Sequence, residues 1–186
     1  MYTIINCSPK IKRSNSKIFI DEVTKNLSNY TVLNLEANRN KILEYIYSSD
    51  TLLFAFPTYL DSPPSKLLSL LDYIFDNKLY LNNMKIYLIA NCGFIEYENN
   101  ICPVEIIKNW ISIMKGSYMG SLLIGSGEII GNKKFKLLSK NCMKELKKFS
   151  MCIKRKEKYE DTGVTIDYIN TKLLCILSNI ALPKSR

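Results

Sequence analysis

The fold is decided by the segment YTIINCSPK at positions 2–10, which is followed by SNS at positions 14–16. The apolar run at residues 2–7 is typical of a buried strand, and Ser14, Asn15 and Ser16 directly precede a helical pattern. A strand end followed by a helix N-terminus gathers unpaired N–H groups, hydroxyl groups and the positive end of a helix dipole around one point. The segment therefore predicts an anion site at the C-terminal end of the first strand.

This loop lacks the spacing of the two best-known phosphate loops. Neither Gly-x-Gly-x-x-Gly nor Gly-x-x-x-x-Gly-Lys-Ser/Thr occurs near the N-terminus, which argues against a dinucleotide pyrophosphate or a magnesium nucleotide. Ser8 and the cations Lys10, Lys12 and Arg13 suit a terminal phosphate monoester, which FMN carries. The alternative is that Ser14 or Asn15 only caps the first helix.

The composition predicts one ordinary globular domain. The chain has 186 residues, of which 47% are hydrophobic and 23% are charged, and this suffices for a substantial core. No apolar stretch approaches the length of a membrane span, and the chain begins directly with strand material. We therefore expect neither a membrane anchor nor a signal peptide, and we expect a cytoplasmic location.

The reactive residue types restrict the chemistry. The chain has no histidine, which removes the commonest general base, the Ser-His and Cys-His nucleophile pairs and the commonest metal ligand. A flavin would supply hydride transfer itself. The cysteines form no close Cys-x-x-Cys pair, so we expect reduced core thiols and no metal site; they are Cys7, Cys92, Cys102, Cys142, Cys152 and Cys175.

Apolar runs and helical patterns alternate along the chain. Strands are predicted at residues 2–7, 31–35, 51–56, 85–91 and 118–124, because several of these runs are nearly continuous, as in buried parallel strands. Helical spacing lies between them and continues to residue 149, and Ser62 and Asn100 are plausible helix starts. This order predicts an α/β fold with an open doubly wound sheet, whose ligand lies outside the C-terminal ends of the strands.

Two later loops fall at those strand ends. Pro57, Thr58, Tyr59, Leu60 and Asp61 follow the third strand and form a stiff turn with an aromatic ring. A second loop follows the fourth strand and combines a glycine, which allows close backbone approach, with a second ring; its residues are Asn91, Cys92, Gly93 and Phe94. Each loop alone could be an ordinary turn or helix start.

Together these loops resemble the NADPH-dependent FMN reductase branch of the flavodoxin-like superfamily, over about the first 130 residues. The resemblance implies a flavodoxin-like three-layer sandwich whose five parallel strands have the order 2-1-3-4-5. It also implies FMN phosphate on the loop at residues 8–16, the isoalloxazine ring between residues 57–61 and 91–94, NAD(P)H as co-substrate and a homodimer. The chain has Cys7 and Lys10 where the family usually has Gly and Arg. At position 10 the point charge of an ammonium group therefore replaces a guanidinium, which can make two parallel hydrogen bonds to a phosphate.

The resemblance fades after residue 153. We predict an FMN-binding domain at residues 1–153, then a polar connection and an amphipathic pattern at residues 166–180 that ends before Pro183. Packing of this last helix on the same domain is favoured over a dimer arm, a pocket lid or a membrane-surface helix.

Charge bears on the choice of partners. The formal net charge is +9, but the lysines are spread along the chain and are typical of solvated helix faces, so we expect no nucleic-acid or membrane partner.

The sequence leaves two functions open. One is an enzyme that passes electrons from NAD(P)H through FMN to a quinone, flavin or nitro compound, and the other is a non-catalytic FMN electron carrier or a flavin-less interaction module.

Overall fold

The computed structural model describes residues 1–10, 14–130 and 140–165. Its centre is one sheet of six parallel strands. In chain order these are β1 (Tyr2–Asn6), β2 (Tyr30–Asn34), β3 (Thr51–Pro57), β4 (Lys85–Asn91), β5 (Ser117–Ile124) and β6 (Thr162–Val164). Their order across the sheet is β2-β1-β3-β4-β5-β6, so the direction of winding reverses between β1 and β3.

Helices cover both faces of the sheet. They are α1 (Asn15–Thr24), α2 (Arg39–Tyr47), α3 (Ser65–Asp76), α4 (Ile101–Ile113), the short α5 (Gly127–Ile130) and α6 (Lys140–Arg155), with a 3₁₀ turn at Tyr97–Asn100. The central strands are buried on both faces because successive side chains point to opposite sides. Phe54 belongs to the apolar cluster that includes residues of α2, α3 and α4, whereas its neighbour Leu53 belongs to the cluster that includes residues of α1 and α6.

The sequence predicted the fold class and the strand order through β5, and the sixth strand corrects the prediction of a five-stranded sheet. β6 lies in the segment predicted as a polar connection, and it has only three residues, too few to give an alternating pattern. Asp161, just before it, accepts hydrogen bonds from the Ser121 N–H (2.8 Å) and the Ser121 hydroxyl (3.0 Å) of β5. The strand is thus fixed by contacts distant in sequence.

The structure corrects one predicted helix start, and other predicted features fall outside the residues that it describes. α3 begins at Ser65, with Pro64 rather than Ser62 as its N-cap. The predicted pattern at residues 166–180, the cations Lys12 and Arg13, and the start of the fifth predicted helix lie outside the described residues. Among the described residues, no helix is long and apolar enough to cross a membrane, and no group of three His, Cys, Asp or Glu side chains could hold a metal ion.

Asp50 joins the chain start to the end of α6. Its carboxylate accepts hydrogen bonds from the Met1 amino group (3.2 Å), the Lys156 ammonium (2.8 Å) and the Thr51 hydroxyl (2.6 Å). Burial alone would raise the pKa of Asp50, but the bonds from Lys156, Thr51 and the N-terminus outweigh it and lower the pKa from 3.8 to about 2. The stabilisation of the folded protein by the Asp50 carboxylate is therefore present above about pH 4 and is lost as the pH falls towards 2.

Asp50→Asn is expected to lower the free energy of unfolding by at most about 1 kcal/mol at pH 7, because the carboxylate is half exposed and screened by solvent. Urea unfolding of both proteins at pH 7 and at the acid end of this window measures the difference. The difference in the free energy of unfolding should shrink in acid. A difference that does not change with pH would show that the carboxylate charge does not stabilise the folded protein.

Candidate functional site

A cleft of about 270 Å³ lies at the C-terminal edge of the sheet, beside the point where the winding direction reverses. Ligands of open α/β sheets bind at this position. The cleft is formed by the loops that follow β1, β3 and β4. Its lining residues are Ser8, Lys10, Ser14, Asn15, Ser16, Pro57, Thr58, Tyr59, Asn91, Cys92 and Gly93.

One end of the cleft is a cradle of hydrogen-bond donors. The Ser8 hydroxyl accepts from the Lys10 N–H (3.2 Å), and the Ser14 hydroxyl accepts from the Lys17 N–H (3.1 Å). A hydroxyl oxygen that accepts from the backbone still has its own hydrogen to donate. Ser14 is the N-cap of α1, so it caps the helix and lines the cleft at once.

The first turn of α1 adds backbone donors to this cradle. The N–H groups of Asn15 and Ser16 have no acceptor within the helix, as in the first turn of any α-helix, and they lie at the positive end of its dipole. Lys10 is exposed and adds a full positive charge. An anion in this end of the cleft would therefore meet several donors together.

Ser16 has a different position from Ser8 and Ser14. It is buried, and its hydroxyl donates to the Asn91 side-chain oxygen at 3.3 Å. This bond joins the start of α1 to the end of β4. Ser16 therefore offers its backbone N–H to a ligand, while its hydroxyl hydrogen is already used within the protein.

The loop after β3 continues the sheet and then reverses. The Thr58 N–H donates to the Asn91 carbonyl oxygen at 2.7 Å. Tyr59 and Ser62 then exchange two backbone hydrogen bonds of 3.0 Å around the two-residue turn of Leu60 and Asp61. This turn points away from the cleft, since Leu60 is 100% exposed, and neither turn residue lines the cleft.

Phe94 is the other predicted site residue that the structure places outside the cleft lining. It follows Gly93 and is 68% exposed, at the rim rather than in the interior. Its carbonyl oxygen accepts from the Ser126 N–H at 2.5 Å, which ties this loop to the loop after β5. Eleven of the predicted site residues line this cleft, whereas Lys12 and Arg13 lie outside the described residues.

The turn at Leu60 and Asp61 carries backbone strain. Both residues have positive φ angles, 48° and 55°, in a two-residue hairpin, and such turns favour Asn-Gly because a bulky side chain is costly there. Leu60→Asn combined with Asp61→Gly is expected to raise the free energy of unfolding by about 1 kcal/mol. Urea unfolding measures it, and a double variant of unchanged or lower stability would contradict this assignment of strain.

Among the described residues, the thiols of Cys7 and Cys92 lie near the cleft, and neither has the properties of a nucleophile. Burial raises the pKa of Cys92, although the Asn100 amide and nearby backbone groups partly oppose it. Burial also raises the pKa of Cys7 far above its ordinary value. A thiol without an accessible thiolate is inert. Of the described residues that line the cleft, none is a carboxylate.

Asn100 is the residue of this region whose role the sequence did not indicate. Asparagine before a helix is typical of an N-cap, and the sequence alone predicts that role here. The structure shows no cap hydrogen bond from its side chain to α4. The amide instead connects the ends of β3, β4 and β5. No local sequence pattern distinguishes this role from a cap.

Comparison with known proteins gives structural matches only. No protein-family model matches the chain, and no curated protein sequence matches it significantly. A structure described as an NADPH-quinone reductase from P. pentosaceus aligns with a TM-score of 0.63 and 17% identity, over 83% of this chain and 97% of that one. A flavodoxin from Streptococcus pneumoniae aligns with a TM-score of 0.63 and 13% identity, over 84% and 99%.

A third solved structure contains a ligand. It is an FMN-dependent NADH-azoreductase from Bacillus anthracis in complex with FMN, with a TM-score of 0.58 and 16% identity over 82% of this chain and 98% of that one. The chain has a flavodoxin-like fold. At these identities the likeness establishes the flavodoxin-like architecture alone, because one fold hosts many functions.

Proposed function

We propose that this flavodoxin-like protein is an FMN-dependent oxidoreductase that passes electrons from NAD(P)H through bound FMN to a small acceptor, such as a quinone, a flavin or a nitro compound. The observation that carries the proposal is the division of the cleft. Hydroxyl, backbone and ammonium donors gather at the loop after β1, and the loops after β3 and β4 form the other walls. A phosphate monoester joined to a flat ring matches this division.

The residues of the cleft fit the parts of FMN. The hydroxyls of Ser8 and Ser14, the N–H groups of the first turn of α1 and the Lys10 ammonium would hold the phosphate. The residues 57–59 and 91–93 would border the ring. A Cβ atom at Gly93 would meet no protein atom within 4 Å, so this wall leaves room for a ligand.

The residue types of the cleft determine which part of the chemistry the protein itself would supply and which part FMN would supply. FMN, when bound, supplies hydride transfer itself. The chain then has to bind, orient and shield it, and this requires neither a histidine nor an ionised thiol. NAD(P)H and the acceptor would alternate at the rim, where Tyr59 and Phe94 expose their rings. The structural likeness to an NADPH-quinone reductase and to an FMN-containing azoreductase supports this assignment.

We also propose a homodimer with the cleft near its interface. Leu60, Phe94 and Ile95 expose apolar surface beside the cleft, and Ile101 and Ile113 do so along α4. Exposed apolar surface is typical of a region that another protein covers. Light scattering that gives twice the chain mass of 21.5 kDa would support the dimer, and the single chain mass would exclude it.

The test is anaerobic reduction of the FMN-loaded protein. We expect the visible flavin absorbance to bleach when NADPH or NADH is added, and to return when a quinone is supplied. Bleaching by dithionite but by neither nicotinamide would identify an electron carrier instead. A protein that takes up no FMN would exclude both and leave a flavin-less interaction module.

A further inference from the structure

The side chain of Asn100 is completely buried where three strand ends meet. Its Nδ2 group donates to the Tyr97 carbonyl at 3.1 Å and to the Ile124 carbonyl at 3.2 Å, and it lies 3.4 Å from the Cys92 sulfur. Carbonyl oxygens only accept hydrogen bonds. The amide nitrogen must therefore face them, and this fixes the orientation of the whole side chain.

This orientation determines the state of the Thr58 hydroxyl. The Asn100 Oδ1 atom lies 2.6 Å from the Thr58 Oγ1 atom. Because Oδ1 can only accept, the hydroxyl hydrogen of Thr58 is donated to Asn100. The Thr58 N–H is also occupied, by the Asn91 carbonyl at 2.7 Å. Thr58 lines the cleft, and it has lone pairs but no hydrogen left for a ligand.

We propose that Asn100 holds the Thr58 hydroxyl as a hydrogen-bond acceptor in the cleft, and that this makes the cleft bind reduced flavin more tightly than oxidised flavin. The inference rests on the proposed FMN binding and concerns its redox preference. Reduction of FMN by hydride from NAD(P)H, which would leave as NAD(P)⁺, would place an N–H group at ring nitrogen N5, where the oxidised ring has none. With that edge of the ring against Thr58, the hydroxyl oxygen would gain a partner only on reduction. Asn100 is then a positioning residue, which acts through Thr58.

The acceptor is held rigidly. Asn100 is fixed by Ile124 at the end of β5 and by Tyr97 in the 3₁₀ turn, and Thr58 is fixed by Asn91 at the end of β4. A hydroxyl that could rotate would donate to the oxidised ring and accept from the reduced ring, with little net preference. A hydroxyl whose hydrogen is committed to Asn100 cannot make that exchange, since breaking the bond leaves a buried amide oxygen unpaired.

The test is the midpoint potential of bound FMN in Thr58→Val and in its matched control Thr58→Ser. Valine removes the acceptor with little change in volume, whereas serine keeps it. We expect Thr58→Val to lower the ratio of reduced to oxidised FMN affinity about fivefold to tenfold, as for one hydrogen bond. A tenfold change is about 30 mV for a two-electron couple. Thr58→Ser should stay close to the wild type.

Asn100 is tested in a double-mutant cycle with Thr58→Val. In an Asn100→Ala background the hydroxyl is free to rotate, so Thr58→Val should change the potential much less. Asn100→Ser serves the same purpose if the alanine variant does not fold, because its short side chain cannot reach all of the partners.

Three results would overturn the inference. Thr58→Val could bind FMN at the wild-type potential, Thr58→Ser could shift it as much as valine does, or the valine shift could keep its full size in both Asn100 backgrounds. In each case FMN binding itself, and with it the proposed function, would stand. Failure of the wild type to bind FMN would remove the proposed function instead.

Discussion

Ser14→Asp is expected to weaken FMN binding by at least about 100-fold while the protein stays folded. Asp caps a helix about as well as Ser, so the bond from the Lys17 N–H is kept, and a carboxylate at a helix N-terminus is favourable in itself. The same carboxylate removes a donor and places a negative charge where the FMN phosphate would lie. Two like charges about 4 Å apart near a protein surface repel by up to about 4 kcal/mol.

Riboflavin is the matched control ligand for this variant, because it has the flavin ring but no phosphate. Flavin fluorescence quenching should show that Ser14→Asp leaves riboflavin affinity nearly unchanged. Circular dichroism and the midpoint of thermal unfolding should match the wild type. A variant that binds FMN normally, or that loses riboflavin and FMN equally, would show that the phosphate does not lie at the start of α1.

Gly93→Leu is expected to lower the affinities for FMN and riboflavin together, by about 10- to 100-fold, through steric exclusion from the cleft. Gly93 lines the cleft, and a Cβ atom there meets no protein atom within 4 Å. The backbone therefore need not move to take a side chain, and the larger residue fills space that the ring would occupy. Burying an apolar part of a ligand that is as large as a leucine side chain contributes roughly a few kcal/mol to the binding free energy.

Gly93→Ala and Gly125→Ala are the control variants for Gly93→Leu. Alanine at position 93 should bind nearly as the wild type does, because one methyl group fills little of the cleft. At Gly125 an added Cβ would overlap the Ile95 carbonyl oxygen, so alanine there should unfold or strongly destabilise the protein. If Gly93→Leu binds both flavins at wild-type affinity, the loop after β4 does not border the ring.

The sequence predicts well those features that local pattern determines. β4 has the predicted bounds, 85–91, because its residues form an almost continuous apolar run. The cleft loops could be located for a related reason. In a parallel sheet every strand ends at the same edge, so polar residues that follow separate apolar runs come together without any detailed knowledge of packing.

The features that the sequence did not predict depend on contacts between distant residues. β6 has three residues and is held by its neighbour β5 and by Asp161. Asn100 lies 42 positions from Thr58, and nothing local indicates that its amide turns away from the helix it precedes. Ser16 looks like Ser14 in the sequence, yet the structure directs its hydroxyl to Asn91. Only the folded arrangement distinguishes these roles.

The most direct test of this account is an equilibrium titration of the purified protein with FMN, followed by quenching of flavin fluorescence, with riboflavin and inorganic phosphate in parallel. We expect one FMN per chain, riboflavin binding at least tenfold weaker because the cradle at the start of α1 stays empty, and competition between inorganic phosphate and FMN. FMN that binds no more tightly than riboflavin, or that is not quenched at all, would contradict the assignment of this cleft.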